Sequence, residues 1–240
     1  MAKNPIVILH GWNLSASRFE PLIHELELRK FKVYCPDLPG FGSSKIPDKP
    51  LFLSDYASFL DRYLQSRKLK DSVIIGHSFG GRVGIKLVTQ KPDVISCLIL
   101  TGTPGINPVP RSKILFFIIL AKFGKVIFSI PILSFLKNQA RKFLYKFARA
   151  SDFYNTDSRL AETFKNIVKE DLSSYLKDIK VPTLLLWGSQ DSIVPITVAN
   201  EMSKLIPRAQ PVVISGARHG VPWTHPKLFV DEVENFLSKL

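Results

Sequence analysis

The amino-acid sequence predicts an α/β protein in which helices flank a parallel sheet. Short apolar runs typical of buried strands recur along the chain, and most are separated by segments with helical spacing. Repeated strand–helix units of this kind bury a parallel sheet between helices. The predicted strands cover residues 6–9, 32–35, 73–75, 97–100, 183–187 and 211–214. The chain has 240 residues, 45% of them hydrophobic, which is enough to bury such a core.

Two apolar stripes predict amphipathic helices that belong to the core rather than to a cofactor site. The first stripe follows Ser54, which is the predicted N-cap. It contains Tyr56, Leu60, Tyr63 and Leu64. The second stripe lies at the end of the sequence and contains Phe229, Val233, Phe236, Leu237 and Leu240.

Residues 76–80, Gly-His-Ser-Phe-Gly, match the pattern G-x-S-x-G directly after the apolar run at 73–75. In a nucleophile elbow, the serine occupies a strained turn between a strand and a helix, and the glycines allow close backbone approach. An ordinary glycine-rich loop has the same pattern, so the motif needs partners elsewhere in the chain. With them, it predicts that Ser78 is a nucleophile.

A reactive serine needs a histidine base and an acid that orients the histidine. Asp191 follows the predicted strand 183–187, and His219 follows the strand 211–214, which is the order serine, acid, histidine expected after an elbow. Taken alone, Asp191 could form an Asx turn and His219 could be a surface histidine. The competing histidines are His10, His24, His77 and His225, and none has the position expected of the base. The placements together predict a triad of Ser78, Asp191 and His219.

With these motifs the sequence resembles the α/β-hydrolase superfamily over nearly its whole length. The segments that carry the resemblance are 10–12 (His-Gly-Trp), 37–44, 76–81, 181–183, 187–191 and 217–219. It is most similar to small bacterial carboxylesterases, including pimeloyl-carrier methyl ester esterases, and also to carbon–carbon bond hydrolases. The superfamily usually begins with two antiparallel strands, but only five residues precede the first predicted strand here. We therefore expect six parallel strands in the order 4-3-5-6-7-8 of the superfamily numbering.

The resemblance implies an oxyanion hole formed by the backbone amides of Trp12 and Phe79. Such donors stabilise the negative charge of a tetrahedral intermediate, at about 3 kcal/mol each. The Trp12 side chain is also expected in the core or in a pocket wall. Because Ser78 stands where dehalogenases and epoxide hydrolases have aspartate, those two activities are disfavoured.

The region 103–178 is predicted to be a helical cap inserted into a core formed by residues 1–102 and 179–240. No acidic residue lies between Asp93 and Asp152, and this stretch contains nine of the basic residues behind the net charge of +13. They are Arg111, Lys113, Lys122, Lys125, Lys137, Arg141, Lys142, Lys146 and Arg149. Three interpretations remain open: a cap that lines an acyl pocket, a basic amphipathic cap that contacts anionic membranes, and a span at 114–136 that lysines disfavour.

Composition restricts the remaining classes. The charge is not accompanied by a recognised nucleic-acid module, so no nucleic-acid partner is expected. No ligand cluster or phosphate loop predicts a metal or an organic cofactor. In the strand order that the resemblance implies, Cys35 and Cys97 lie on separated strands beyond disulfide reach, so both are expected to be buried thiols. The start of the sequence does not resemble a signal peptide, so a cytoplasmic location is expected.

The expected activity is hydrolysis of carboxylic esters with apolar short- to medium-chain acyl groups through an acyl-enzyme. The alternatives are an interfacial lipase or lysophospholipase that uses the basic cap, a carbon–carbon bond hydrolase with the same triad, and a non-catalytic ligand receptor. A small-molecule ester is the expected partner. The sequence leaves acyl chain length and oligomeric state open.

Overall fold

The computed structural model describes residues 4–106 and 157–240. Six parallel strands form one sheet in the order β2-β1-β3-β4-β5-β6. The strands are β1 (Ile6–Leu9), β2 (Val33–Tyr34), β3 (Ser72–His77), β4 (Ile95–Thr101), β5 (Thr183–Gly188) and β6 (Ala209–Ile214). This order equals 4-3-5-6-7-8 in the superfamily numbering, so the predicted order of the six parallel strands is confirmed.

The helices of the described ranges cover both faces of the sheet. They are α1 (Glu20–Leu28), α2 (Leu53–Ser66), α3 (Phe79–Gln90), α4 (Ala161–Lys169), α5 (Ser173–Leu176), α6 (Ile196–Leu205), α7 (Val221–Thr224) and α8 (Pro226–Leu237). Short 3-10 turns precede α1, β4 and α4 at Ala16–Phe19, Pro92–Val94 and Ser158–Leu160.

Alternation along the strands divides the core into two hydrophobic layers, because successive side chains of a strand point to opposite faces. In β1, Val7 and Leu9 join the layer that contains buried residues of α2, α3 and α6, whereas Ile6 and Ile8 join the layer formed with α1 and α8. β4 and β5 divide in the same way. The sheet is therefore buried on both faces, as a parallel sheet requires.

Three details differ from the sequence prediction. Helix α2 begins at Leu53, and Asp55 rather than Ser54 supports its start by accepting the Phe52 N–H at 2.7 Å. Leu240 lies beyond the end of α8 and is exposed. Cys97 is buried, but Cys35 is only partly buried, and both thiols are free.

The predicted cap lies largely outside the described residues, which resume at Asp157. Its possible membrane contact and the span at 114–136 also fall there, so these stay predictions. The final part of the predicted cap packs on the core, with Leu160, Ile167 and Leu176 in the same hydrophobic layer as α2 and α3. In the portion that the structure describes, no helix is both long and apolar enough to cross a membrane.

Candidate active site

The sequence-predicted site residues all follow the C-terminal ends of sheet strands. Trp12 follows β1, Ser78 and Phe79 follow β3, Asp191 follows β5, and His219 follows β6. The strands are parallel, so their C-terminal ends lie along one edge of the sheet. Ligand sites of open α/β sheets form at this edge.

Ser78 occupies the strained turn that a nucleophile elbow requires. It joins β3 to α3 with φ of 51° and ψ of −114°, and a non-glycine residue rarely has a positive φ. The flanking glycines make the turn possible, since an ideal Cβ on Gly76 would lie 2.4 Å from Gly81 Cα. A Cβ on Gly80 would lie 2.2 Å from the Leu9 carbonyl oxygen. Backbone strain of this kind is concentrated at functional sites.

Asp191 and His219 form an acid–imidazole pair in which the carboxylate is buried and the imidazole is partly buried. His219 Nδ1 lies 2.7 Å from Asp191 Oδ2, and the two side chains are 16% and 1% exposed. The other carboxylate oxygen, Oδ1, accepts the backbone N–H groups of Ile193 at 2.9 Å and Val194 at 2.8 Å. A carboxylate that accepts at both oxygens holds the imidazole with its proton on Nδ1, which leaves Nε2 as the atom able to accept a proton.

A buried tryptophan holds the loop that carries Asp191. Trp187 at the end of β5 is fully buried, and its indole N–H donates to the Val194 carbonyl at 2.9 Å. Gly102, directly after β4, lies against the acid–imidazole pair with a φ of +55°. A Cβ there would lie 2.7 Å from His219 Cε1 and 3.4 Å from Asp191 Oδ2. Only a residue without a side chain fits this position.

His219 lies beside the strand that carries Ser78. Its ring centroid is 4.7 Å from that of His77, the residue that precedes the serine. Among the described residues, no hydrogen bond joins Ser78 Oγ to the imidazole. Such catalytic hydrogen bonds are often long in the absence of substrate and shorten in the reacting complex.

The two residues of the predicted oxyanion hole are neighbours. The Trp12 and Phe79 rings contact each other edge to face with centroids 5.2 Å apart. Phe79 is the first residue of α3, where a helix has no intrahelical partner for its N–H groups. The Trp12 ring also contacts Phe41 at 4.8 Å and Phe164 at 5.0 Å. The Trp12 side chain therefore lies in the hydrophobic core, beside the predicted oxyanion hole.

The loop after β2 is tied to the loop after β1. The Asp37 carboxylate accepts the Ala16 N–H at 2.7 Å and, from Ser43, both the N–H and the hydroxyl at 2.8 Å. Burial raises the pKa of Asp37, but the hydrogen bonds from Ala16 and Ser43 together lower it more, so the net pKa is below its usual value. Gly42 has a φ of +54° and lies directly against this carboxylate.

His10 also holds these loops and has no free nitrogen to act as the base. It is fully buried; Nε2 accepts the Leu38 N–H at 2.9 Å, so Nδ1 carries the proton and donates to the Gly11 carbonyl at 2.8 Å. Burial is the main reason that its pKa is lowered, and the bond to Gly11 opposes this shift. His225 makes a different contact, because its Nδ1 lies 2.8 Å from the hydroxyl of the neighbouring Thr224.

Sequence reasoning missed the role of Arg82, one helical turn after Ser78. Its buried guanidinium donates to the carbonyls of Pro104 at 2.6 Å and Ile167 at 2.9 Å, and also to that of Glu170. Burial lowers the pKa of Arg82 to about 10, although the charges of Glu170 and Asp171 oppose this. Helix α3 thus holds the chain both before and after the stretch 107–156. Two basic residues one helical turn apart, Arg82 and Lys86, in a helix whose other buried residues are apolar or glycine were the available signal.

No group of histidine, cysteine, aspartate and glutamate side chains within residues 4–106 and 157–240 has an arrangement suited to a metal ion.

Comparison with known proteins identifies the family. The sequence profile of the family Hydrolase_4, described as "Serine aminopeptidase, S33", matches residues 1–223. A pimeloyl-acyl-carrier protein methyl ester esterase of Wigglesworthia glossinidia brevipalpis is 28% identical over 98% of this chain and 93% of that protein. The AB hydrolase superfamily protein YisY of Bacillus subtilis is 29% identical over 90% of this chain and 85% of that protein.

Solved structures show the same fold at lower sequence identity. A bromoperoxidase from Bacillus anthracis superposes with a TM-score of 0.76 at 22% identity, covering 98% of this chain and 92% of that one. An esterase from Exiguobacterium antarcticum gives a TM-score of 0.75 at 21% identity, covering 99% and 92%. The chain is thus a hydrolase of the family described as serine aminopeptidase S33, within the α/β-hydrolase superfamily.

Proposed function

We propose that this hydrolase is a serine carboxylesterase that cleaves esters of apolar short- to medium-chain acids. The observation that carries the proposal is the Asp191–His219 hydrogen bond of 2.7 Å at the sheet edge where Ser78 occupies a strained strand–helix turn. A carboxylate that orients an imidazole near an elbow serine is the arrangement that activates a hydroxyl for acyl transfer.

In the proposed first half-reaction, Ser78 Oγ attacks the ester carbonyl carbon while His219 Nε2 takes the hydroxyl proton. Asp191 keeps the other imidazole proton on Nδ1 and stabilises the imidazolium that forms. The backbone amides of Trp12 and Phe79 bind the oxyanion. The intermediate collapses when His219 gives its proton to the leaving alcohol, and the acyl group stays on Ser78.

In the second half-reaction, water attacks the acyl-enzyme carbonyl and His219 accepts a proton from that water. Collapse of the second tetrahedral intermediate breaks the bond to Ser78 Oγ, and His219 returns the proton to the serine. The products are a carboxylic acid and an alcohol, and the enzyme is restored without a metal or organic cofactor.

The apolar substrate class is supported by the surroundings of Trp12. Its ring packs against Phe41, Phe79 and Phe164, so the side chains beside the proposed oxyanion hole are aromatic. Apolar surface of this kind favours an alkyl or aryl group over a charged one. The methyl ester esterases among the relatives give further support for an ester substrate.

The test is hydrolysis of p-nitrophenyl butyrate by the wild type and by Ser78→Ala. We expect release of p-nitrophenol by the wild type and a loss of at least about 10³-fold in Ser78→Ala, because the acyl-enzyme cannot form. Equal rates would contradict the mechanism. A p-nitrophenyl ester series from acetate to palmitate measures the acyl preference, and an aminoacyl p-nitroanilide measures the peptidase activity that the family description names. A faster anilide than ester reaction would contradict the ester assignment.

A further inference from the structure

His77 is a buried histidine that the proposed reaction does not use. It is the last residue of β3, directly before Ser78, and is 1% exposed. Its ring lies among three others, with centroids 4.7 Å from His219, 5.0 Å from Trp223 and 5.8 Å from Phe19. A side chain between the nucleophile strand and the proposed base can influence how the two are placed.

One hydrogen bond decides the protonation of His77. Its Nε2 lies 3.1 Å from the backbone carbonyl oxygen of His219. A carbonyl oxygen only accepts, so Nε2 must carry a proton. The other nitrogen, Nδ1, is buried and has no hydrogen-bond partner among the described residues. Instead it faces the backbone of Gly11, where an ideal Cβ would lie 2.8 Å from it.

A second proton on Nδ1 would be buried without an acceptor. Consistent with this, burial lowers the pKa of His77 well below the usual value, and the nearby His219 lowers it further. The neutral tautomer with the proton on Nε2 is therefore the form that fits the site, and in this form His77 is a fixed donor to the His219 backbone.

The hydrogen bond from His77 connects β3, which precedes Ser78, to the loop that carries His219. The loop 215–220 is also hydrogen-bonded to the two residues that precede Asp191. Gln190 N–H donates to the Ala217 carbonyl at 2.9 Å, and Gly216 N–H donates to Ser189 Oγ at 2.9 Å. Within residues 4–106 and 157–240, the contact from His77 is the one hydrogen bond between this loop and β3.

We infer that His77 is a positioning residue that holds the His219 loop at the correct distance from Ser78 by donating Nε2–H to the His219 carbonyl. The inference rests on the proposed function, because it assigns His77 to the placement of the proposed base. Asp191 orients the imidazole ring, whereas His77 places the backbone from which that ring projects. A displacement of about 1 Å at a reacting group costs on the order of 10²-fold in rate.

The test compares His77→Leu, which removes the donor, with His77→Gln, which keeps an N–H donor on a side chain of similar reach. We expect His77→Leu to lower kcat for p-nitrophenyl butyrate by about tenfold or more while KM changes less than about twofold. We expect His77→Gln to recover most of that loss. Ser72→Ala is the matched control, since Ser72 is buried in the same strand at its other end and its hydroxyl has no partner among the described residues.

A kcat for His77→Leu within about twofold of that for Ser72→Ala would overturn the inference. Equal losses in His77→Leu and His77→Gln would also overturn it, because the donor would then be irrelevant. Nitrogen-15 NMR of the wild type checks the tautomer without any variant. Protonation of His77 at Nε2 is expected, and protonation at Nδ1 would refute the hydrogen bond to the His219 carbonyl.

Failure of the proposed function can be distinguished from failure of this inference. If wild type and Ser78→Ala have equal esterase rates, the proposed function is refuted. The His219 ring resonances then still measure whether His77 positions the His219 loop. We then expect these resonances to shift in His77→Leu but to stay in place in His77→Gln and Ser72→Ala. Unchanged His219 resonances in His77→Leu would refute the positioning role on structural grounds alone.

Discussion

Replacing Gly102 with alanine should disable the proposed site while leaving the protein folded. The added Cβ would lie 2.7 Å from His219 Cε1 and 2.8 Å from Nδ1, whereas ordinary van der Waals contact begins near 3.4 Å. The ring would therefore have to move by more than half an ångström. Such a movement stretches its 2.7 Å hydrogen bond to Asp191. We expect kcat for p-nitrophenyl butyrate to fall by about 10- to 100-fold.

Gly216→Ala provides a matched control. Gly216 also has a positive φ, +72°, but an ideal Cβ there meets nothing within 4 Å. Both substitutions should cost about 1 kcal/mol of unfolding free energy, because alanine is strained in the left-handed region. The steric conflict with His219 is specific to Gly102, so only Gly102→Ala should lose activity.

The assay combines steady-state kinetics with urea unfolding of the wild type and both variants. A kcat for Gly102→Ala within about threefold of that for Gly216→Ala would refute the reasoning, because the same backbone strain would then explain both variants. A large loss of activity in Gly216→Ala would refute it too, since a Cβ at that position would meet no atom of the acid–imidazole pair.

Two further predictions concern stability. Arg82→Met should lower the unfolding free energy by about 3 kcal/mol, because three carbonyls lose a charged donor. Lys165→Met, which removes the exposed ion pair of 3.0 Å with Glu162, should cost less than about 1 kcal/mol. Urea titrations of both variants check this order, and equal losses would contradict it. The pKa values of His10 and His77 are both lowered from 6.5 in the folded protein, so the unfolded chain takes up protons first as pH falls. The melting temperature should therefore be highest above pH 6.5 and should fall as the pH drops below 6.5. The fall should be less steep in His77→Gln, which lacks one of the two histidines. A flat profile between pH 7.5 and 5 would contradict this prediction.

Much of the fold could be predicted because its signals are local. Apolar runs flanked by turn residues located all six strands, and alternation with helical segments indicated that they are parallel. The boundaries were less accurate at β2, which is shorter than its apolar run, and at α2, where Asp55 supports the helix start. These ends depend on hydrogen bonds that form only when the backbone is in place.

The candidate site was predictable to the extent that each residue has a diagnostic place along the chain. Ser78 has the elbow pattern, and Asp191 and His219 follow the expected strands. His10 and His77 could not be separated from ordinary buried histidines, because their role lies in contacts with the backbones of Leu38 and His219. Each contact joins residues that are far apart in the sequence.

Periodicity and motif order in the sequence predicted the strand pattern and the candidate nucleophile, acid and base, whereas the sheet order was implied by the resemblance to the α/β-hydrolase superfamily. Tertiary structure alone decided that His77 donates to His219, that Arg82 joins Pro104 to the end of α4, and that Gly102 lies against the imidazole. The physical reason is that hydrogen bonds and van der Waals contacts depend on distances of a few tenths of an ångström between atoms that only chain folding brings together.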